Sequence, residues 1–266
     1  MDFKRIEWIF LFVFTCIDIF LGINYFQNSH LAKTTTNVDQ SKQVVKELRS
    51  DNISFNHLSN KKGTGYYLAS QPNNALQQNV AKLRDQHDVF NTVNDHVLMT
   101  GYLNTPIDVR AEQRLTAVKA LVQNPNMILF GHAYRYAANL STRNQIVFVE
   151  TFPEGPVYDE RGQLTFKINH NGTISQYSQS YIGNITTLRE KMPTISAQEA
   201  VLALYTDNEI PNYSIIKWTK LAYTWLLDAN GSVVYVPAWY VGIENKDTKN
   251  ITIKRINAFT KALIKN

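Results

Sequence analysis

A long apolar run lies near the N-terminus of the chain. Residues 9–26 read IFLFVFTCIDIFLGINYF, an apolar run interrupted by one charge at Asp18. As a helix this run spans roughly 27 Å, close to the hydrocarbon core of a bilayer at about 30 Å. Trp8 and Tyr25 lie at its two edges, where amphipathic rings favour the headgroup level. The pattern predicts a transmembrane anchor over residues 9–26.

The charges that flank the apolar run set its predicted orientation. Lys4 and Arg5 precede it, whereas Lys33 is the nearest basic residue after it. Because basic residues favour the cytoplasmic side, we expect a cytoplasmic tail over 1–8 and everything after Phe26 outside a plasma membrane that the chain crosses once. A cleaved signal peptide is the weaker alternative, since the run is long and no small-residue cleavage site follows it.

Weaker periodic patterns follow the predicted anchor. Residues 27–50 are polar, without Gly or Pro, and we interpret them as a juxtamembrane stalk. Apolar residues at helical spacing predict a helix within residues 73–90 and a second over residues 107–122, with Pro106 at its start, where a missing N–H costs nothing. Alternating runs then predict strands, and Asn171-Gly172 between two of them is a strong hairpin signal.

The same order of elements occurs again toward the C-terminus. Ser196 and Glu199 form a capping-box pattern that starts a helix. Long alternating strands follow it, with a turn at Asn230-Gly231. We therefore predict an α+β fold, in which an N-terminal single transmembrane helix precedes an extracytoplasmic domain of antiparallel sheets with packed helices. The two helix-plus-sheet repeats are assigned to subdomains at residues 51–193 and 194–266.

Composition indicates a folded domain that is stabilised by packing. Hydrophobic content is 44% and aromatic content 12%, enough for a substantial core. The single cysteine, Cys16, lies in the predicted anchor, so the outer part has no disulfide. The formal charge of +5 is modest, and no cluster of lysine or arginine occurs, so we expect no nucleic-acid partner.

Known catalytic and metal-binding patterns are missing from the sequence. It contains no G-x-S-x-G, no H-E-x-x-H and no glycine-rich phosphate loop. None of its six histidines has a partner at ligand spacing. Asp159 and Glu160 are adjacent carboxylates, but they precede Arg161-Gly162 in a turn and are expected to be solvated. We predict no enzymatic activity, no metal and no cofactor.

Aromatic residues are frequent in the predicted strands. They have two interpretations: lining of a sugar or peptide groove, or packing within sheets, which favour aromatic side chains. We prefer packing. The residues concerned are Tyr134, Tyr136, Tyr177, Tyr181, Trp239 and Tyr240.

Asp18 is the unusual residue of the predicted anchor. The twelve Ile, Leu, Phe and Val side chains of the run favour insertion by roughly 4–7 kcal/mol, against about 2.5–3.5 kcal/mol for a central Asp. Insertion therefore tolerates Asp18, but anchoring does not need it. Intramembrane acids usually serve a function, and small neighbours on the same helix face let another helix approach. The predicted partner interface comprises Leu11, Phe14, Thr15, Asp18, Leu21, Gly22 and Tyr25.

Three stretches of the chain resemble a known family. They are MDFKRIEWIFLFVFTCIDIFL (1–21), GQLTFKINHNGTISQYSQSYI (162–182) and VVYVPAWYVGI (233–243) followed by INAFT. Their order and spacing resemble the YycI (WalI) family over essentially the whole chain. The resemblance implies a bitopic membrane protein of Gram-positive bacteria. Such a protein acts with the related YycH on WalK (YycG), an essential sensor histidine kinase of cell-wall metabolism.

The resemblance also implies an α+β outer domain without known catalytic activity, and kinase contact largely through membrane helices. The leading hypothesis is thus an accessory kinase regulator that works by protein–protein contacts, with the Asp18 face touching WalK or YycH. Two alternatives stay open from the sequence. One is an extracytoplasmic ligand-binding sensor that recognises a wall fragment through its aromatic strands, and the other is a membrane-tethered cell-envelope hydrolase.

Overall fold

The computed structural model describes residues 8, 11–15, 17–18, 36–109 and 114–265. The chain divides into two compact units, Met1–Ile53 and Ser54–Asn266. In the predicted anchor, residues 11–15 and 17–18 are helical, and the other positions of that segment lie outside the described residues. No helix within the described part of the chain is long and apolar enough to cross a membrane. The anchor stays a prediction.

The first unit contains helix α1 (Thr36–Ser50), within the segment predicted as a stalk. The helix ends in a Schellman motif. Asn52 adopts the left-handed conformation with φ 57°, and the Ile53 N–H donates to the Leu48 carbonyl at 2.9 Å. The Asn52 N–H donates to the Arg49 carbonyl at 3.1 Å. These bonds satisfy carbonyls that the helix end would otherwise leave unpaired.

The second unit contains the remaining elements, which are short helices and many strands. The helices are α2 (Ala75–Asn79), α3 (Arg114–Gln123) and α4 (Ala197–Thr206). The strands are β1 (Ser54–Phe55), β2 (Thr64–Gly65), β3 (Leu68–Ser70), β4 (Gln86–Val93), β5 (His96–Asp108), β6 (Tyr134–Tyr136), β7 (Gln145–Phe152), β8 (Gly155–Pro156), β9 (Gln163–Ile168), β10 (Thr173–Gln179), β11 (Ile185–Thr187), β12 (Met192–Pro193), β13 (Ser214–Ala229), β14 (Ser232–Asn245), β15 (Ile251–Asn257) and β16 (Leu263–Ile264).

These strands form two larger sheets and one small ribbon. Sheet I is antiparallel with the order β4-β5-β10-β9-β7-β6, and β8 pairs with β7. Sheet II has the order β1-β13-β14-β15-β16, and β3 joins β14 to β11. Its pairs are antiparallel apart from the short parallel pair of β1 with β13. The ribbon pairs β2 with β12. The structure confirms the predicted α+β class with antiparallel sheets.

A helix packs against each sheet. The α3 residues Val118, Leu121 and Val122 belong to the same buried cluster as Phe148 and Phe166 of sheet I. Helix α4 contacts strands β13, β14 and β15 of sheet II. It begins with the predicted capping box, in which the Ser196 hydroxyl accepts from the Glu199 N–H and the Glu199 carboxylate accepts from the Ser196 N–H. Sheet II contains strands from both predicted subdomains, since β3 lies within residues 51–193 and pairs with β14, which lies within residues 194–266.

Segment 155–158 connects the two sheets. The Val157 N–H donates to the Glu150 carbonyl of β7, and the next N–H, that of Tyr158, donates to the Tyr223 carbonyl of β13, each at 2.9 Å. Behind this connection, Val147 and Val149 of β7 share a buried cluster with residues of sheet II. Strand β7 is therefore buried on both faces, which explains its continuous apolar run.

Two predicted turns are confirmed, whereas the predicted start of one helix is wrong. Asn171-Gly172 and Asn230-Gly231 each connect an antiparallel pair as predicted. The helix predicted to start after Pro106 instead begins at Arg114 in the described residues, because β5 continues to Asp108. Pro106 lies in β5 next to Ile107, which pairs with Ile174 of β10. The register of the two strands is irregular just beyond this pair, and a strand tolerates proline at such a place.

Candidate functional site

A cleft of about 720 Å³ opens where the end of sheet II meets α2 and the loop after β10. We call it the Tyr181 cleft. None of its lining residues in the described part of the chain carries a formal charge, and more than half of them have an amide or hydroxyl side chain. The lining residues are Ala69, Ser70, Gln71, Asn73, Ala75, Asn79, Phe130, Tyr181, Ile182, Gly183, Asn184, Thr186, Leu188 and Ser232.

Two side chains hold the loop that forms one wall of this cleft. The Glu150 carboxylate accepts from the N–H groups of Ile182 at 2.8 Å and of Gly183 at 3.0 Å. The Asn73 amide donates to the carbonyls of Ile182 at 2.8 Å and of Tyr181 at 3.4 Å. Backbone groups on both sides of the loop are thus bound by side chains that are distant in sequence, so the loop is fixed in position.

The Tyr181 ring lies on a second aromatic ring. It stacks on Phe130 with a centroid distance of 4.2 Å and an interplanar angle of 9°. Phe130 has φ 52°, in the left-handed region that bulky residues rarely adopt. Such strain persists only where surrounding contacts hold it, and it is concentrated at functional sites. Gly183 lies beside the Tyr181 ring and has no side chain to cover it.

Glu150 is a buried acid beneath the Tyr181 cleft, with 1% of its surface exposed. Burial raises the pKa of Glu150 to about 7, although its two backbone N–H bonds act in the opposite direction. The same burial effect raises the pKa of Tyr134, and the nearby Glu150 charge adds to it. The carboxyl group that holds the cleft wall therefore has a pKa near neutral pH.

A second cleft, of about 630 Å³, contains paired charges. Arg161 bonds to the Asp159 carboxylate at 3.1 Å, donates to the Asn94 carbonyl at 2.9 Å and lies 4.9 Å from the centroid of the Trp225 ring. The other Asp159 oxygen accepts from the Trp225 N–H at 3.2 Å. These bonds link sheet I to sheet II, so Asp159 and Arg161 have a structural role.

The prediction that the Asp159 carboxylate is exposed to solvent is wrong. The turn exists as a short helix over Glu160–Gly162, which the Asp159 side chain caps. Asp159 itself is 5% exposed, whereas a solvated carboxylate was expected. The physical reason is its bond to β13, which sequence position alone does not reveal. Among the described residues, no group of three His, Cys, Asp or Glu side chains is placed to hold a metal ion.

Most of the strand aromatics pack in the core, as preferred from the sequence. Tyr134, Tyr177 and Tyr240 are at most 3% exposed. The Trp239 indole N–H donates to the Ile195 carbonyl at 2.9 Å. Tyr136 is partly exposed. Tyr181 differs from the buried members because it lines a cleft, so one residue fits the alternative interpretation, in which aromatic side chains line a groove.

The predicted partner interface is only partly described. Leu11, Phe14, Thr15 and Asp18 are helical and exposed, and the Thr15 hydroxyl donates to the Leu11 carbonyl at 2.8 Å. Leu21, Gly22 and Tyr25 lie outside the described residues. The interface therefore stays a prediction.

Sequence reasoning missed Phe130, Asn73 and Glu150. Glu150 has a recognisable signal, since it is a lone acid at the end of the apolar run IVFVE. An acid in a strand that is buried on both faces requires hydrogen-bond partners. Asn73 and Phe130 lie in irregular segments, and no comparable pattern marks them.

The elements and clefts define a class: a two-sheet α+β domain that carries a ligand-sized cleft and a helix on each sheet. Its family follows from comparison with known families. The model described as "YycI protein" matches residues 32–259, which is most of the chain. The chain belongs to the YycI family.

Two solved structures show a weak similarity to this chain. A crystal structure of an uncharacterized protein from Eubacterium rectale matches with TM-score 0.45 and 10% identity, covering 81% of this chain and 91% of that one. The Bacillus megaterium YpeB C-terminal domain matches with TM-score 0.37 and 14% identity, covering 86% of this chain and 96% of that one. Comparison with curated proteins gives no match.

Proposed function

We propose that this protein is an accessory regulator of a WalK/YycG-type sensor histidine kinase that controls cell-wall metabolism. The observation that carries the proposal is the match of the YycI family model to residues 32–259. The protein works by association rather than by turnover, in line with a sequence that contains none of the common catalytic motifs. A YycH-type protein is its second partner in the plasma membrane.

The proposed topology has residues 9–26 as the anchor, residues 1–8 in the cytoplasm and the domain that follows outside the cell. The support is the length of the apolar run and the basic residues before it. Cysteine labelling tests this arrangement. In a Cys16→Ser background, Asn250→Cys at an exposed position should react with a membrane-impermeant maleimide in intact cells. Lys4→Cys should react only after the cells are lysed.

Association with the kinase is tested by copurification. The full chain, tagged and extracted in mild detergent, should enrich the WalK-type kinase and the YycH-type protein over an unrelated membrane histidine kinase. Deleting the gene should change phosphorylation of the response regulator that the kinase serves. Equal recovery of the unrelated kinase, or unchanged phosphorylation, would contradict the proposal.

A further inference from the structure

The chemistry of the Tyr181 cleft restricts what it can bind. Its described lining residues carry no formal charge, although the whole chain has a net charge of +5. A charged ligand would lose its hydration there without gaining an opposite charge, which is costly. Amide and hydroxyl side chains, by contrast, both donate and accept hydrogen bonds. The lining therefore suits an uncharged ligand that is rich in hydrogen-bonding groups.

Polar groups at the rim are arranged for such a ligand. The Gln71 amide donates to the Ser232 hydroxyl at 2.8 Å, which fixes the amide plane. In the described structure the Gln71 amide oxygen accepts no bond, so it is free to accept one from a ligand hydroxyl. Asn184, which precedes β11 next to the end of β3, is exposed, lines the cleft and offers both a donor and an acceptor.

The aromatic rings of Tyr181 and Phe130 in the cleft place a second requirement on the ligand. The Tyr181 ring stacks on Phe130 at 4.2 Å, both rings line the cleft, and Gly183 leaves the edge of the Tyr181 ring uncovered. A rigid, supported ring is a flat apolar surface in an otherwise polar site. The ligand should therefore have a flat apolar face as well as hydroxyl groups. Pyranose sugars have both, since their C–H bonds form one face and their hydroxyls point outward.

The cleft is also preorganised. Glu150 and Asn73 bind the backbone of residues 181–183 through four hydrogen bonds. A wall that is already ordered costs little further entropy when a ligand binds. The volume of about 720 Å³ lies within the usual range of ligand sites.

We propose that the Tyr181 cleft is a binding site for an uncharged carbohydrate, with a sugar ring stacked on Tyr181 and its hydroxyls bonded to the amides of Gln71 and Asn184. An extended peptide fits less well, because the strand beside the cleft, β11, has only three residues with which to pair a peptide backbone. The site is independent of the proposed kinase association, and each can fail without the other.

Binding is tested with the purified full chain in detergent. The probes are chitotetraose, cellotetraose and maltotetraose, with tetragalacturonate as a charged oligosaccharide and an acetylated, amidated tetra-alanine as a neutral peptide. We expect at least one neutral oligosaccharide to bind and the two comparison probes not to bind, by isothermal titration calorimetry. A preference for chitotetraose, with retention on insoluble chitin, indicates an N-acetylated polymer strand as the source, whereas binding of only soluble tetrasaccharides indicates a free sugar.

Matched variants locate the site. Tyr181→Ala should weaken binding by about tenfold or more, because the stacking surface is lost, whereas Tyr181→Phe should retain it. Tyr213→Ala removes an exposed ring outside the cleft and should have no effect. If Tyr181→Ala does not fold, Thr186→Arg at the exposed rim should block binding by filling the cleft. Failure of every neutral sugar to bind, binding that survives both Tyr181→Ala and Thr186→Arg, or binding of the peptide at this cleft would overturn the proposal.

Discussion

Trp218 of β13 lies beside Gly242 of β14 in register, and a Cβ atom at Gly242 would overlap the indole ring. Tyr177 and Gly101 have the same relationship in sheet I, where a Cβ atom at Gly101 would overlap the phenol ring. In each sheet, an aromatic side chain thus occupies the space beside a glycine of the neighbouring strand. The absence of a side chain on the glycine is what lets the ring pack there.

Gly242→Ala should therefore destabilise the domain. The added methyl group forces the Trp218 ring out of its position, and overpacking of this kind costs about 1–3 kcal/mol. The free energy of unfolding, measured by urea denaturation of the purified full chain, is the readout. In a Trp218→Leu background the same glycine substitution should cost much less, since the overlapping ring is gone. Strict additivity of the two substitutions would show that the ring does not set the requirement for glycine.

Stability should depend on pH through Glu150. Because burial raises the folded-state pKa of this acid to about 7, the folded protein holds a proton that the unfolded chain releases above its ordinary pKa of 4.5. The group therefore favours the folded state most at low pH, and this contribution falls as pH rises from about 4.5 to about 7, by at most about 3 kcal/mol.

The pH dependence is checked by comparing variants. Unfolding of wild type and Glu150→Gln is followed between pH 5 and pH 8, with Glu190→Gln as an exposed control. The decline in stability between these pH values should be smaller in Glu150→Gln and unchanged in Glu190→Gln. Glu150→Gln should also be less stable at low pH, because the two N–H groups bond to different oxygens of Glu150, and the NH2 group that replaces one oxygen cannot accept. An identical pH profile in all three proteins would rule out Glu150 as the titrating group.

Ser196→Ala should weaken helix α4. The hydroxyl of the buried Ser196 accepts from the Glu199 N–H at 3.1 Å, and its loss leaves that partly buried donor without this bond. Losing such a cap typically costs about 1 kcal/mol. Thermal unfolding should show a lower transition midpoint for Ser196→Ala. Ser196→Asp keeps an acceptor at this position, so its transition midpoint should return most of the way to the wild-type value. No recovery with Asp would indicate a packing effect instead.

Asp18 is expected to contact a partner helix rather than to support anchoring. Asp18→Leu should insert at least as well as wild type but lose copurification with the kinase and the YycH-type protein, and Gly22→Leu should do the same by steric block. Phe12→Leu, on the other face of the helix, should leave association intact. If Asp18→Leu copurifies normally and kinase output is unchanged, the contact lies elsewhere.

Stability should not depend on a metal ion or a disulfide. Cys16 is the single cysteine of the chain, and the described residues include no metal-binding group. Thermal unfolding with EDTA and a reductant should match unfolding without them. A clear drop in the transition midpoint on chelation would reveal a metal site.

Features that depend on local interactions were predictable from the sequence. Ser196 and Glu199 are three residues apart, and the bonds of their capping box form within one helical turn. The Asn230-Gly231 turn likewise requires only that its own residues adopt positive φ, which they do at 50° and 75°. Local chemistry decides these features, whatever the rest of the fold does.

Features that depend on distant partners were not predictable. Asp108 is in a strand because it pairs with Thr173, and Asp159 is buried because β13 covers it. The wall of the Tyr181 cleft requires Asn73 and Glu150 to meet the loop after β10, which follows them by 109 and 32 positions. No periodicity in one segment encodes such a meeting.

Pairing of β3 with β14 has a consequence for the order of folding. Ala69 pairs with Val234, so a ribosome must make most of the chain before β3 can pair with β14. Closing so long a loop costs entropy before any contact repays it, and topologies of this kind fold slowly. Until then, the edge of β3 that pairs with β14 is open, and other chains could join it. Newly made protein should therefore aggregate most readily before residue 234 is available, and truncation before that point should favour inclusion bodies.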